Sequence, residues 1–450
     1  MKKKLLSLFL VLCMLLSTGT AWGLTAFADG EPAAPTPTAP TAADGTLTAQ
    51  TIEQIVTAGE GTIHLNGAQD AMTLATYANT SQAADGEDAV YPTFAGVTVQ
   101  LNADLTGNAA SSFNALTATA APANVWTAIQ NFAGTFNGGY HTISGIYAES
   151  GFFRLLTDGA VVQNVIFANC YAFNDAPGTD GNGFAGIVAA RVAGTVALTN
   201  VTVENSRTLA AKESGTACVG GLLGGSDEWN GGAAAVLTVT NCSVSGKVGS
   251  AATTSTGNSR VGAVIGRIGG TSLSVTDFTN NAAVVGTQYT GGFVGELKVA
   301  TTMLRCENKA TVQGKAFTGG LVGLLSTTAS NSFTDCSNSG AITSTVEQAC
   351  GGLVAKSDST GAITLTNCSN AGAVNGQSVA GGIIAYVEKS PVTATNLSNT
   401  ASITSSSSWV GGMFGWLRET KTTVTTATNS GSLTTGGKGG GIVGDRKSVV

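Results

Sequence analysis

Eight short glycine-centred phrases, returning at a nearly fixed interval, limit what this chain can become. The most regular is Thr318-Gly319-Gly320-Leu321-Val322-Gly323. Its counterparts run from Val219 to Gly224, Val261 to Gly266, Thr290 to Gly295, Cys350 to Ala355, Ala380 to Ala385, Val410 to Gly415 and Gly439 to Gly444. Between successive first glycines the intervals are 262 − 220 = 42, then 29, 28, 32, 30, 30 and 29 residues. A period of about 30 marks a repeat array, in which each unit buries its apolar face only by stacking on a neighbour. A phosphate-cradling loop would need a Lys followed by Ser or Thr, and no copy carries that pair.

A second phrase follows the glycines in each repeat. Its central residue is Cys242, Phe278, Cys306, Cys336, Cys368, Leu397 and Ala427 in turn, apolar every time and flanked by polar neighbours. That is a strand with one side chain aimed at the core. Two residues further on stand Asn280, Asn308, Asn338, Asn370, Asn399 and Asn429. Asparagine at a turn accepts left-handed backbone, and stacked copies ~4.8 Å apart bring one amide within reach of the next. Segments such as Ala341-Ile342-Thr343 and Ala373-Val374-Asn375 read as the strand after that corner.

About three short strands per unit, in roughly 30 residues, suffice for one coil of a right-handed parallel β-helix, the hand following from strand twist. The expected fold is therefore all-β: a solenoid of such coils with a small α+β cap at its N-terminal end. A β-propeller is the second candidate, but its blades need four strands and about 40 residues or more. The two apolar residues after the paired glycines, such as Leu321 and Val322, either both tuck into a corner or alternate, which would leave an apolar docking stripe outside.

The ends of the chain divide it further. Residues 1–28 read as a secretory signal peptide: Met1-Lys2-Lys3-Lys4, an apolar run from Leu5 to Leu16, and Ala26-Phe27-Ala28 as the cleavage site. Residues 29–46 hold Pro32, Pro35, Pro37 and Pro40 among Ala and Thr, an extended linker. Residues 47–131 are expected to cap the open end of the array, with a helix over Ala68–Ala78 and a strand over Val97–Leu101. The array itself occupies 132–444. Its first strands flank a tight turn at Asn137-Gly138, and His141 beyond it is expected to donate to a nearby carbonyl. Residues 445–450, Asp-Arg-Lys-Ser-Val-Val, depart from the repeat composition and match the translation of a common sequencing adapter. They are read as an artefactual tail, and the natural chain is expected to continue.

The phrase Phe132-Ala133-Gly134-Thr135-Phe136-Asn137-Gly138-Gly139-Tyr140-His141-Thr142-Ile143, then Gly151-Phe152-Phe153, Gln163-Asn164-Val165 and the recurring Gly-Gly-Leu-Val-Gly, resembles the secreted bacterial GLUG-repeat family. The likeness spans roughly 68–444. It departs at Asn137-Gly138, where the family commonly has Asp-Gly. The resemblance implies a repeat architecture on secreted or surface proteins, some of them immunoglobulin-cleaving metallopeptidases whose zinc site lies elsewhere. The His-Glu-x-x-His that such a zinc site requires does not occur in this sequence.

Chemistry is sparsely represented. With 21 basic and 27 acidic residues the net charge is −6, which excludes the clustered cations that nucleic acid demands. Beyond Cys13 in the leader, seven cysteines remain, an odd number without a Cys-x-x-Cys pair. They are read as buried thiols rather than a disulfide framework or metal site, although Cys306 and Cys336 on neighbouring coils come within reach of each other. The longer intervals imply outward loops at 225–235 and 249–258. In the first, Asp227, Glu228 and Trp229 offer acids beside an aromatic ring, a candidate glycan contact; Asp175 and Asp180 form another acidic loop. The sequence thus points to a secreted or surface-displayed stalk or adhesin-like module with a protein or glycan partner and no cofactor. A glycan-cleaving enzyme working from the 225–235 loop is the alternative.

Overall fold

A computed structural model describes residues 47–82, 89–107, 113–117, 125–174, 182–210, 216–249, 258–346 and 348–447. The signal peptide, the linker and the Asp175/Asp180 loop lie outside the described residues.

Each coil follows one path. In the coil that begins at Tyr289, strands run Tyr289–Gly291, Val294–Leu297, Ala300–Leu304, Glu307–Asn308 and Val312–Gly314, after which Phe317–Gly319 opens the next. Every strand pairs in parallel with its counterpart one coil away, as in Val294↔Val322↔Val354↔Ile384↔Phe414. The result is three long parallel sheets. Among the described residues they hold 26, 9 and 11 strands, and we call them the wide, the nine-stranded and the eleven-stranded sheet. Parallel pairing at this period gives an all-β, β-helix-like solenoid and excludes a propeller.

The coils begin earlier than the sequence suggests. Gly61–Leu65 pairs with Val97–Leu101, which pairs with Thr135–Asn137, so two strands of the expected cap are already rungs of the wide sheet. Two helices close that end. The helix over Ala68–Ala78 (α2) is joined by one over Ala49–Ala58 (α1), which the sequence reading missed although Thr48 caps it and Gly59 ends it in left-handed backbone. Asp70 of α2 is buried and accepts from the backbone N–H groups of Leu47 and Asn66, pinning the cap in place.

The core is one continuous column of inward side chains. Cys242, Phe278, Cys306, Cys336, Cys368 and Leu397 all lie in it, none more than 3% exposed. Both residues after the glycine pair point inward as well: Leu222 and Leu223, Phe293 and Val294, Leu321 and Val322, and Met413 and Phe414 are fully buried. That removes the outward apolar stripe. The corner turns so sharply that two successive side chains enter the core.

The asparagines take a different part from the one expected. Left-handed backbone falls three residues earlier, on Asn241, Asp277, Arg305, Asp335, Asn367, Asn396 and Thr426, with φ between 50° and 62°. Asn280 and its successors are extended, buried as far as Asn399 and half-buried at Asn429, and their amides form a chain. Asn280 Nδ2 donates to Asn308 Oδ1 (2.7 Å), and the series continues through Asn338, Asn370 and Asn399 to Asn429 at 2.6–2.8 Å. Each amide also donates to the carbonyl two residues on, as Asn338 does to Gly340 (2.9 Å). Both donors are thereby satisfied inside the core, which is what makes a buried asparagine tolerable. The glycine pair serves the same close approach. A Cβ at Gly320 would lie 2.8 Å from Asn338 Cγ and would collide with the Gly352 carbonyl.

The turn near the start of the array also differs. Positive φ belongs to Gly139 and Tyr140, where His141 N–H donates to Gly138 O (2.9 Å), rather than to Asn137 and Gly138. The His141 ring meets the Asp104 carboxylate at 3.3 Å instead of a carbonyl. The same carboxylate accepts from Thr142 N–H, which holds its pKa below the usual value, with His141 adding to the effect. At the far end, Asp445, Arg446 and Lys447 continue a strand and pair with Trp416, Leu417 and Arg418.

Candidate functional site

The glycine corner shapes the most side-chain-rich feature on the outside of the solenoid. At this corner the nine- and eleven-stranded sheets come so close that a Cβ on Gly323 would sit 2.6 Å from the Thr290 nitrogen of the preceding coil. Outward residues on the two sheets then face each other seven positions apart. Trp409 meets Trp416 with ring centroids 4.5 Å apart, Lys438 meets Asp445 at 3.5 Å, and Arg191 lies 5.9 Å from the Phe184 ring. In register along the axis, Arg260, Tyr289 and Phe317 follow one another on one side. Arg267, Glu296, Leu324, Lys356, Tyr386 and Trp416 follow on the other. We call these two facing ranks of packed side chains, which run with the axis, the groove.

Its upstream end is ionic. The loop after Leu223–Ser226 forms a 3₁₀ turn, Asp227–Asn230, closed by Gly231 at φ 80°. Asp227 is held by Arg191 at 2.6 Å and accepts from Asn230 Nδ2 at 2.9 Å. Glu228 pairs with Arg267, Glu296 with Arg260, and Arg267 Nε also lies 3.5 Å from Glu296. Three arginines and three carboxylates thus neutralise one another with little solvent, the Arg267 side chain being 4% exposed and that of Glu296 8%. Cys218 lies in the same rank, buried, and desolvation pushes its thiol up to about 12 against the opposing pull of Arg260 and Arg267.

Its downstream end is aromatic. Tyr386 and Trp416 stack at 4.7 Å with planes 9° apart, and Trp409 packs on Trp416. Lys356 Nζ lies 5.3 Å from the Phe317 ring and 5.4 Å from that of Tyr386, a cation between two π faces, with Asp358 at 3.5 Å. Tyr386 Oη donates to Glu388, which also pairs with Arg418 at 3.2 Å.

The residues singled out from sequence are placed as follows. Asp227 and Glu228 are committed to arginines, so neither presents a free carboxylate to a sugar. Trp229 belongs to the same 3₁₀ turn, and its side chain lies outside the described ones. The seven mature cysteines are buried and unpaired. Cys306 and Cys336 are neighbours in the inward row, and their mutual influence sets the first thiol's pKa below the usual value and the second's up to about 12, while each thiol lies within hydrogen-bond reach of backbone carbonyls. Among the described residues no group of three or more His, Cys, Asp or Glu side chains could hold a metal ion. No described helix is long and apolar enough to cross a membrane.

No protein-family profile and no curated protein matches this chain. One solved structure that aligns with it is described as a proposed immunoglobulin A1 protease from Bacteroides ovatus. It is 14% identical, with 86% of this chain and 84% of that one covered, at a TM-score of 0.31.

The groove was not read from the sequence. Its signal was present in the seven-residue spacing that brackets each glycine phrase, as in Tyr289/Glu296 and Trp409/Trp416. Because residue type changes along each rank while position does not, a search for recurring identities passes over it.

Proposed function

We propose that this protein is a secreted or cell-surface bacterial β-solenoid of the GLUG-repeat type, right-handed in its coil, that works as a stalk or adhesin-like interaction module for a protein or glycan partner. The observation that carries this reading is the buried amide chain from Asn280 to Asn429. It ties six successive coils in register through the core, and a rod stiffened in this way suits the presentation of an outer surface better than the movement of a lid over a reaction. The leader-like N-terminus and the low charge fit export. The enzyme alternative requires a carboxylate free to act as acid or base, and those of the 225–235 loop are engaged by Arg191 and Arg267. Expression with the native N-terminus, followed by cell fractionation and surface proteolysis, tests the reading. Surface exposure without release of reducing ends from any glycan is the expected result. Retention in the cytoplasm, or glycan cleavage lost in Asp227→Asn, would overturn it.

A further inference from the structure

The mature cysteines look alike in the sequence, but only three of them are neighbours. Cys306, Cys336 and Cys368 occupy one inward position on three successive coils, and the places before and after them in that row hold Phe278 and Leu397. Each of the other four is flanked along its own rank by other residue types, as Cys350 is by Thr318 and Ala380.

The backbone fixes the spacing of the three from both sides. Leu304, Thr334 and Thr366 are in register just before them, and Glu307, Ser337 and Ser369 just after. The Ser337 N–H donates to Cys306 O (2.9 Å) and the Ser369 N–H to Cys336 O (3.0 Å). Adjacent Cα atoms are therefore one rung apart, ~4.8 Å, inside the range of roughly 4.4–6.8 Å that disulfides span. All three sulfurs also point the same way, each 3.3–3.4 Å from the carbonyl two residues earlier. Closing a bond takes one turn about a Cα–Cβ axis and an approach of the two Cβ atoms by at least ~0.3 Å. Of the three thiols, Cys306 alone has its pKa drawn below the usual value, by the neighbouring Cys336, while Cys336 and Cys368 are pushed above it, each by its own neighbour in the row. Cys306 is thus the first to become a nucleophile, and Cys336 is the one thiol beside it.

We propose that the exported chain carries one disulfide, between Cys306 and Cys336, which closes a complete coil into a covalent ring and leaves Cys368 as a thiol. The proposal rests on the export reading, because the oxidant it needs, a disulfide RSSR of a small thiol or an oxidoreductase, prevails outside a reducing cytoplasm. The Cys306 thiolate attacks one sulfur of RSSR and releases RS⁻. The Cys336 thiolate then attacks the Cys306 sulfur and releases the second RS⁻. The two protons lost by the cysteines end on the two RSH, and RSSR has taken up two electrons. None of the three is more than 1% exposed in the finished solenoid, so the exchange belongs to the time when the coil is being laid down. Once covered, the bond is shielded from reductant, and the ring of residues 306–336 cannot unspool when the rod is pulled.

The test is to express the full chain with its leader, collect it outside the cytoplasm without reductant, and unfold it in N-ethylmaleimide for mass measurement, intact and after trypsin. Five of the seven mature cysteines should be labelled (7 − 2 = 5), with peptide 306–309 joined to peptide 316–356, which also holds Cys350. Cys336→Ala should abolish that junction, whereas Cys350→Ala and Cys368→Ala should keep it. The oxidised chain should melt a few degrees above the reduced one, a gap that Cys306→Ala removes. Seven labels on the exported chain, or a bond joining any other pair, overturns the disulfide and leaves the export reading standing. A chain that stays in the cytoplasm overturns the export reading. Refolding that chain in reduced and oxidised glutathione then decides the disulfide, the 306–336 bond upholding it and its absence overturning it.

Discussion

The coils before Asn280 and those after it solve the same packing problem differently. In the wide sheet the buried position that is Asn280, Asn308 and Asn338 downstream is Val203 and Val244 upstream, in the same register. The groove changes at nearly the same place, from arginines and carboxylates to stacked rings. Over a shared apolar core, upstream coils fill this row with valines and the groove with ion pairs, whereas downstream coils fill the row with hydrogen-bonded amides and add stacked rings to the groove. A solenoid position thus prescribes burial and direction, while the means of filling it can differ so long as neighbours along the rank agree.

The sharpest way to break this contrast is to interrupt the amide chain. Asn338→Ala strands a donor on Asn308 and an acceptor on Asn370 in the core, and should cost about 3 to 5 kcal/mol in denaturant unfolding. Val244→Ala upstream should cost about 1 to 2 kcal/mol, being a loss of packing alone. A cost for Asn338→Ala no larger than for Val244→Ala would dissolve the distinction.

The groove gives the next largest effect. Arg267→Met leaves Glu228 without its partner and takes the second cation from Glu296, which keeps Arg260, in a nearly dry site, an expected loss of about 3 kcal/mol. Trp416→Leu removes two ring contacts but keeps apolar volume, and should cost about 1 kcal/mol. Melting temperatures of the two variants compare the ends directly.

The smallest effect is one of pH. Cys170, Cys218 and Cys350 have thiols pushed up to about 12 by burial. Because the folded value lies above the unfolded one, near 9, stability is complete below that pH. It should fall as pH rises from 9 towards 12, by about 1 kcal/mol per thiol at pH 10. The same thiols should resist alkylation in the native state at pH 8. Rapid native labelling there would contradict their burial.

Repetition governed how much could be read in advance. The array, its inward Cys and Asn rows and the glycine corner recur in identity, so they stood out from spacing alone. The first helix carried ordinary cap signals that the search for repeats passed over. The earliest coils lack the paired glycines, with Ser150-Gly151 and Gly186-Ile187 in the place of Gly220-Gly221, so their membership shows only in strand register. The acids of the 225–235 loop looked available because their arginine partners lie 36 and 39 residues away in the chain.

The sequence by itself determined that this protein is a stack of equivalent coils, because a period of about 30 residues with inward apolar and amide rows can be satisfied only by stacking. Only the tertiary structure decided which side chains remain open to a partner. Availability depends on what the neighbouring coil places opposite: Asp227 and Glu228 are closed off by Arg191 and Arg267, while Thr364 and Thr393 on the wide sheet face solvent with their hydroxyls free.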